Sequence, residues 1–350
     1  MNNVLGKIDE KFFNEVIYPK LGAEDGKVIV KPQHGVDFGV VDLGEQVLVI
    51  STDPFFIQPS LGLEKAAWFA VHILASDVAV SGIRPSYLAI DLNLPPEISD
   101  SELGRIWSTV DKECKKLGIS VVTGHTARYA GCNYPMVGGA TIFGIDYKEK
   151  LIVPKPRVGD MILVTKGPAI EATALMANQF PDYLEAEYGK EFTERAKNLF
   201  YQMSVVEDAL AIATTAGKNV TAMHDATEYG VFGALCDIAQ IGNVGFKINL
   251  DDITVQEEVA RVCKFFNMNP YEAISEGTLV ATVNKDYADK CVDALDKNGI
   301  KSSVVGEITE RKGGLRYFKQ GKEYKLERPN VDPYWLRFEE YLKKEIKKQK

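Results

Sequence analysis

YLAIDLNLP at 87–95, SDSELGRIWSTVDKECKKLG at 99–118 and ISVVTG at 119–124 follow one another almost without a gap. The outer two are apolar runs of strand length. The middle one opens on the capping residues Ser99 or Asp100 and closes on Gly118. Strand, helix, strand in this order predicts an α/β or α+β layer. Upstream, LEKAAWFAVHILASDVAVS (63–81) is helix-compatible and apolar on most sides, which predicts a helix buried between layers and stopped near Gly82 and Pro85. GVVDLGEQVLVISTD (39–53), after VIVKP (28–32), predicts a hairpin around Leu43-Gly44-Glu45. DEKFFNEVIYPK (9–20) reads as a short amphipathic helix, and PMVGGATIFGI (135–145) as one more strand.

Pro and Gly then crowd into LIVPKPRVGDMILVTKGP (151–168), where a second alternation of elements begins. The boundary falls near 148–158, dividing the chain into 1–150 and 151–350. Helices are predicted at about 170–179, 189–214, 228–241, 256–267 and 286–298, with the strands FKINL, GTLVATV and SSVVGEI between them. From Asn330 onward the pattern is a surface helix ending in EEYLKKEIKKQK, whose lysines suit the negative end of a helix dipole.

The 350 residues carry 41 Lys and Arg against 49 Asp and Glu, a net charge of −8, with 45% hydrophobic residues. That balance suits two globular domains and excludes disorder, while the acidic excess argues against nucleic acid as a partner. The five cysteines form no CxxC pair, which excludes a disulfide framework and a thiolate zinc site. Neither a signal peptide nor a membrane-length apolar run is visible, so a cytoplasmic compartment is expected.

Standard cofactor motifs fail. Gly22–Lys27 is one residue short of a phosphate-binding loop and is followed by Val28, and Val137-Gly138-Gly139-Ala140 lies inside a strand. What remains is a set of short segments that place an acid or His beside Gly, Ser or Thr: 33–37 (QHGVD), 51–53 (STD), 75–77 (ASD), 123–126 (TGHT) and 223–228 (MHDATE). Asp53 before Pro54 also suits a turn at a strand end. Asp77 stands in a mostly apolar helix, where a carboxylate is costly unless it is paired or bound to a cation. Asp225 and Glu228 have the spacing of a capping box, and a helix start there would also hold a phosphate. His125 directly follows a strand, a place that tends to face the ligand crevice. His72 points away from Asp77 and suits a core or interface.

Read in order, these segments resemble the aminoimidazole ribonucleotide synthetase superfamily, which includes thiamine monophosphate kinase, selenophosphate synthetase and the maturation factor HypE. Gly35–Val40 is similar to the family's GDDAAV, Ser51–Asp53 to TTDS and Ala75–Gly82 to VNDLAVSGA. Thr123–Thr126 is similar to TGDT, Met223–Gly230 to MRDPTRGG, and Asn269-Pro270 with Ser275–Val280 to the LDP…NEGKLV run of HypE. The resemblance covers about residues 30–310. It implies two α/β domains and a homodimer whose N-terminal sheets pair into a shared barrel. It also implies ATP and magnesium held between the domains, with Asp37, Asp53, Asp77 and Asp225 as cation ligands.

The departures shape the functional reading. No glycine-rich stretch precedes residue 30, Val36 replaces the first Asp of GDD, and His125 replaces the Asp of TGDT. His224 and Glu228 stand where MRDPTRGG has Arg, Tyr229 replaces a Gly, and no Cys follows Cys291. Losing cations that clamp polyphosphate while gaining imidazole favours Mn2+ or another transition metal over Mg2+. The reading is therefore a metal-dependent phosphatase, a hydrolase acting on phosphomonoesters, pyrophosphate or nucleotides. Asp37, Asp53, Asp77, His125 and Asp225 would bind metal; His224, Glu228 and His34 would carry protons; Thr123, Gly124 and Thr227 would orient the phosphate. The alternatives are an ATP-dependent enzyme like HypE or thiamine monophosphate kinase, and a noncatalytic maturation partner.

Overall fold

The computed structural model describes Ile8 and residues 10–348. A single turn, α1 (Glu10–Phe12), leads through further tight turns to Lys20, so the amphipathic helix expected at 9–20 is irregular; Asp9 lies outside the described residues. The first sheet contains β1 (Val28–Val30), β2 (Gly39–Asp42), β3 (Gln46–Phe56), β4 (Tyr87–Leu94), β5 (Ser120–Arg128) and β6 (Met136–Tyr147), in the spatial order β1-β2-β3-β6-β4-β5. Only β4 and β5 run parallel, and the crossover between them is α3 (Asp100–Leu117). Its start is a capping box. The Ser99 hydroxyl accepts from the Glu102 N–H, the Glu102 carboxylate accepts from the Ser99 N–H at 2.8 Å, and Gly118 ends the helix at φ +75°. Gly138 inside β6 is a packing requirement, since a Cβ there would meet the Asp91 carbonyl at 1.8 Å.

Helix α2 (Leu63–Ala79) buries twelve of its seventeen residues. That all-round burial needs partners on both sides, and α2 has them. Its small and apolar residues pack on the first sheet below and on α7 (Val206–Ala216) above.

The second sheet has the order β13-β12-β9-β11-β7-β10-β8. Its strands are β7 (Met161–Thr165), β8 (Val220–Asp225), β9 (Gly245–Asn249), β10 (Leu279–Val283), β11 (Ser302–Thr309), β12 (Leu315–Lys319) and β13 (Lys322–Lys325). Pairing is antiparallel except between β12 and β9. The remaining helices are α4 (Ile170–Gln179), α5 (Pro181–Tyr188), α6 (Lys190–Asn198), α8 (Gly230–Gly242), α9 (Glu257–Phe265), α10 (Ala288–Lys297) and α11 (Pro333–Lys348). Leu163, Met223, Leu279 and Ala281 face α7 and α10, while Ile162, Val164, Ala222 and Val280 face α8. One apolar core thus runs from the first sheet through α2 and α7 into the second. Aromatic side chains of α5, α9 and α11 form a separate cluster around Phe180, Phe266 and Tyr341. No helix among the described residues is long and apolar enough to cross a membrane.

A second predicted element also changes. The helix expected over 189–214 is α6, a tight turn and then α7, because tertiary hydrogen bonds hold the break: the Val205 N–H donates to Ser76 Oγ and the Ser204 carbonyl accepts from Lys166 Nζ. The β12–β13 hairpin was not expected. Its two-residue turn, Gln320-Gly321, has φ of +52° and +71°, the mirror-image turn that suits twisted strands.

His72 sits at the α2–α7 contact, buried and stacked on Trp68 at 4.0 Å. Its Nδ1 lies 2.9 Å from Ser204 Oγ and its Nε2 lies 3.2 Å from the Glu113 carboxylate, which a neutral ring satisfies by accepting from Ser204 and donating to Glu113. Burial pushes its pKa down to about 4, against the pull of Glu113. Between the ordinary value of 6.5 and about 4, the unfolded chain takes up a proton that the folded chain refuses, so stability falls as pH falls. From pH 7.5 to 5 the loss expected from this ring is about 2 kcal/mol, and denaturant titrations of His72→Gln should show a shallower pH dependence by that amount.

Candidate functional site

Three pieces of chain meet where the two halves join. From the first half come the loop 33–37 and the pair β3–α2; from the second comes the carboxyl end of β8. Ser51 Oγ on β3 donates to Asp77 Oδ2 on α2 at 2.7 Å. Asp77 keeps some solvent contact but is deeply surrounded. Burial, then the charges of Asp53, Asp37 and Asp225, hold its carboxyl well above the usual range. Asp225 ends β8, and burial raises it to about 6. Glu276, just before β10, is raised well above its usual value by burial and by Asp225. All four carboxyl oxygens of Asp225 and Glu276 are buried without a well-formed hydrogen bond. Behind them the Glu171 carboxylate accepts from the Glu276 N–H at 3.0 Å, and burial raises Glu171 to about 8.

This is a deficit of positive charge. Two buried carboxyls facing each other need a shared proton or a cation, and the unpartnered oxygens of Asp225 and Glu276 fit a divalent ion. Among the described residues, however, no three His, Cys, Asp or Glu side chains converge as a ready-made metal centre. Asp37, Asp53, Asp77 and Asp225 are brought to one neighbourhood, and the other expected ligand is not.

His125 lies on the wrong face of its sheet. Asp53, Ala140, Ile90 and Gly124 stand in one row across β3, β6, β4 and β5, and the buried Ala140 and Ile90 mark that row as the core side. His125 instead pairs with the exposed Asp91, and its Nε2 bonds to the Tyr129 hydroxyl at 2.8 Å. The cause is a bulge: register slips between Leu88 and Ala89, which leaves Val122 unpaired and reverses the parity of everything after it. Thr123 and Gly124 share this exposed edge strand, about 14 Å from Asp53 at three strand spacings.

His224 is an ion-pair partner and not a proton carrier. Its Nδ1 is 2.7 Å from Asp37 Oδ2 and its Nε2 is 3.4 Å from Asp237 Oδ2. Burial opposes the charged ring, but Asp37 and Asp237 outweigh it and push His224 up to about 10. Arg328 also pairs with Asp237, which is held down at about 2 against burial by His224 and Arg328. Both ring nitrogens are occupied, so His224 has none to offer a metal. Gly35 packs so closely on α8 that a Cβ would lie 2.9 Å from Asp237 Cβ, which fixes the loop carrying His34 and Asp37. His34 faces the edge of Phe13, with its buried Nε2 lacking a hydrogen bond.

The capping box expected from Asp225 and Glu228 does not form. Asp225 still belongs to β8, and α8 starts only after Tyr229, at φ +63°. The Thr227 hydroxyl donates to Glu228. The N–H groups of Tyr229, Gly230 and Phe232 already donate to Asp332, Thr227 and Tyr271, so this helix start does not offer them to a phosphate. Asp237, Glu276, Glu171 and Lys166 were not anticipated. Lys166 Nζ bonds the Asp208 carboxylate at 2.9 Å and lies near enough to Asp225 to lower its pKa. Asp237 carried the same signal as Asp77, a lone carboxylate in an apolar helix, and Glu276 stood inside a segment already singled out.

Two substitutions separate these roles. Asp225→Asn relieves repulsion and should raise the melting free energy of the metal-free protein by about 1 kcal/mol in thermal scans with chelator. His224→Ala strands Asp37, leaves Asp237 with Arg328 alone, and should cost about 3–5 kcal/mol by denaturant titration.

Two family models match: "AIR synthase related protein, N-terminal domain" over residues 35–153 and "AIR synthase related protein, C-terminal domain" over 157–318. The carbamoyl dehydratase HypE of Rhizobium leguminosarum bv. viciae is 23% identical over 282 residues, covering 75% of this chain and 73% of that protein. A hydrogenase maturation protein HypE in complex with ATP has a TM-score of 0.67 at 19% identity, covering 93% of each chain. AaThiL complexed with AMPPCP and TMP has a TM-score of 0.64 at 20% identity, covering 84% of this chain and 89% of that one. These relatives overturn the expected metal-dependent phosphatase, since they are a dehydratase and proteins holding ATP or its analogue. The reason lies in the two imidazoles on which that hydrolase reading rested: His125 is on the far face of its sheet, and His224 is enclosed by carboxylates. With both halves matched and the two-domain fold shared with HypE, the chain belongs to the AIR synthase related family.

Proposed function

We propose that this chain is an ATP-dependent enzyme that activates or phosphorylates a small acceptor at the junction of its two halves, in the manner of HypE or thiamine monophosphate kinase. The observation that carries this reading is the group of mutually repelling carboxyls, Asp77, Asp225 and Glu276, with Asp37 and Asp53 beside them. Polyphosphate is itself anionic, so such a site accepts it only through cations. Asp37, Asp53, Asp77 and Asp225 would hold Mg2+ or Mn2+, and the ion would neutralise charge on the phosphoryl oxygens. The chain's own contribution is placement. Ser51 orients Asp77, the His224 ion pair fixes the loop of Asp37, and burial keeps water from competing. Thr227 and Glu228 lie on the turn after Asp225, where they would contact nucleotide or acceptor.

The exposed edge strand β5 supports the homodimer implied by the family. Val122 is 56% exposed and Val121 40%, apolar surface on an unpaired edge that a second copy would cover. In that arrangement Thr123, Gly124 and His125 would face the partner subunit. We place the protein in the cytoplasm.

Isothermal titration should show saturable ATP binding with Mg2+ or Mn2+ and none with chelator, and Asp77→Asn or Asp53→Asn should weaken it at least tenfold. Absence of ATP binding with every divalent cation tried would sink the reading. Light scattering should give a dimer mass for the wild type and a monomer for Val122→Asp.

A further inference from the structure

At the opposite end of β8 from Asp225, about 16 Å away along the strand, the character of the surface reverses. A cleft of about 900 Å³ lies between the linker joining the two sheets, the β2–β3 turn and residues 217–221. That volume is in the range of small-molecule sites. Five cations line it, Lys148, Lys150, Lys155, Arg157 and Lys218, against two acids, Glu45 and Glu149. Lys148 is paired with Asp42, and Lys150 with Asp146. Among the described residues, Lys155, Arg157 and Lys218 have no ion-pair partner.

In a chain of net charge −8, three cations without ion-pair partners around one cleft need a reason. The backbone that carries two of them is held in place. The Lys155 N–H donates to the Thr221 carbonyl at 2.6 Å, and the Arg157 N–H donates to the Asp160 carboxylate at 2.8 Å. Asp160 is buried and accepts from the Thr221 hydroxyl at 2.6 Å, which ties this wall to β8. Tyr147, 52% exposed, adds an aromatic face to the rim. A planar guanidinium with two ammonium groups suits several phosphoryl oxygens at once. A long polyanion would also meet the repulsion of a chain whose net charge is −8.

We infer that this cleft is a second ligand site, separate from the carboxylate cluster, for a small molecule bearing a di- or triphosphate. It binds without a divalent cation, because the protein supplies the positive charge. A ligand there bridges the linker and β8 and so touches both halves of the molecule.

Inorganic tripolyphosphate titrated calorimetrically in excess chelator tests this, because the carboxylate cluster is silent towards polyphosphate without metal. The result expected is one-to-one binding that weakens in 0.5 M salt and falls at least tenfold in Lys155→Ala/Arg157→Ala/Lys218→Ala. Asp225→Asn should leave it unchanged. Arg157→Ala alone, whose surface side chain is not needed for folding, should weaken it severalfold if the triple variant fails to fold. No binding in chelator, equal binding by the Arg157→Ala and triple variants, or loss of binding in Asp225→Asn would each overturn the inference. Tighter binding of a polyglutamate peptide than of tripolyphosphate would also overturn it.

Discussion

Helix α2 is pressed between the first sheet and α7, and the other arrangements depend on that double burial. Alanines at 66, 67, 70, 75 and 79 let the layers approach closely, while Leu74 fills the space between them. A helix so enclosed can carry polar groups only where a partner meets each one. Ser76 meets the Val205 N–H, His72 meets Ser204 and Glu113, and Asp77 meets Ser51. Packing therefore fixes the position of Asp77 to within the tolerance of a core side chain, with no loop involved.

Buried charge in this molecule is of two kinds. His224 lies between Asp37 and Asp237, with Arg328 behind, and Lys166 lies against Asp208; these sets are balanced internally and hold elements together. Asp225, Glu276 and Glu171 are not balanced, and all three are driven upward by burial. The first kind contributes stability near neutral pH. The second is a cost that the apolar core offsets, and buried like charges of this kind cluster at functional sites.

Much of this was legible in the sequence, and the limits have physical causes. Ser99, Glu102 and Gly118 mark α3 because capping is local chemistry. Asp77 stood out because an apolar helix makes a carboxylate conspicuous. VTAMHD was not recognised as β8 because all six residues are buried, and a strand covered on both faces loses the alternation that identifies it. The helix expected over 189–214 failed at 203–205, where hydrogen bonds to distant residues outweigh propensity. His125 was misjudged through one extra residue, Val122, since strand parity depends on a pairing register that local sequence does not encode. His224 was read as a proton carrier because its second carboxylate partner, Asp237, approaches from a helix thirteen residues on and leaves no local mark.

The apolar core does not stop at the linker. Leu163, Met223, Leu279 and Ala281 of the second sheet share it with α2 and with Val47, Val49 and Ile90 of the first. Two bodies that share a core cannot swing apart on a hinge without tearing hydrophobic contact, a cost of many kcal/mol at about 25 cal/mol per Å² exposed. Admission of any ligand to the junction must then come from small loop displacements around a stationary framework, and melting should be one cooperative event for the whole chain.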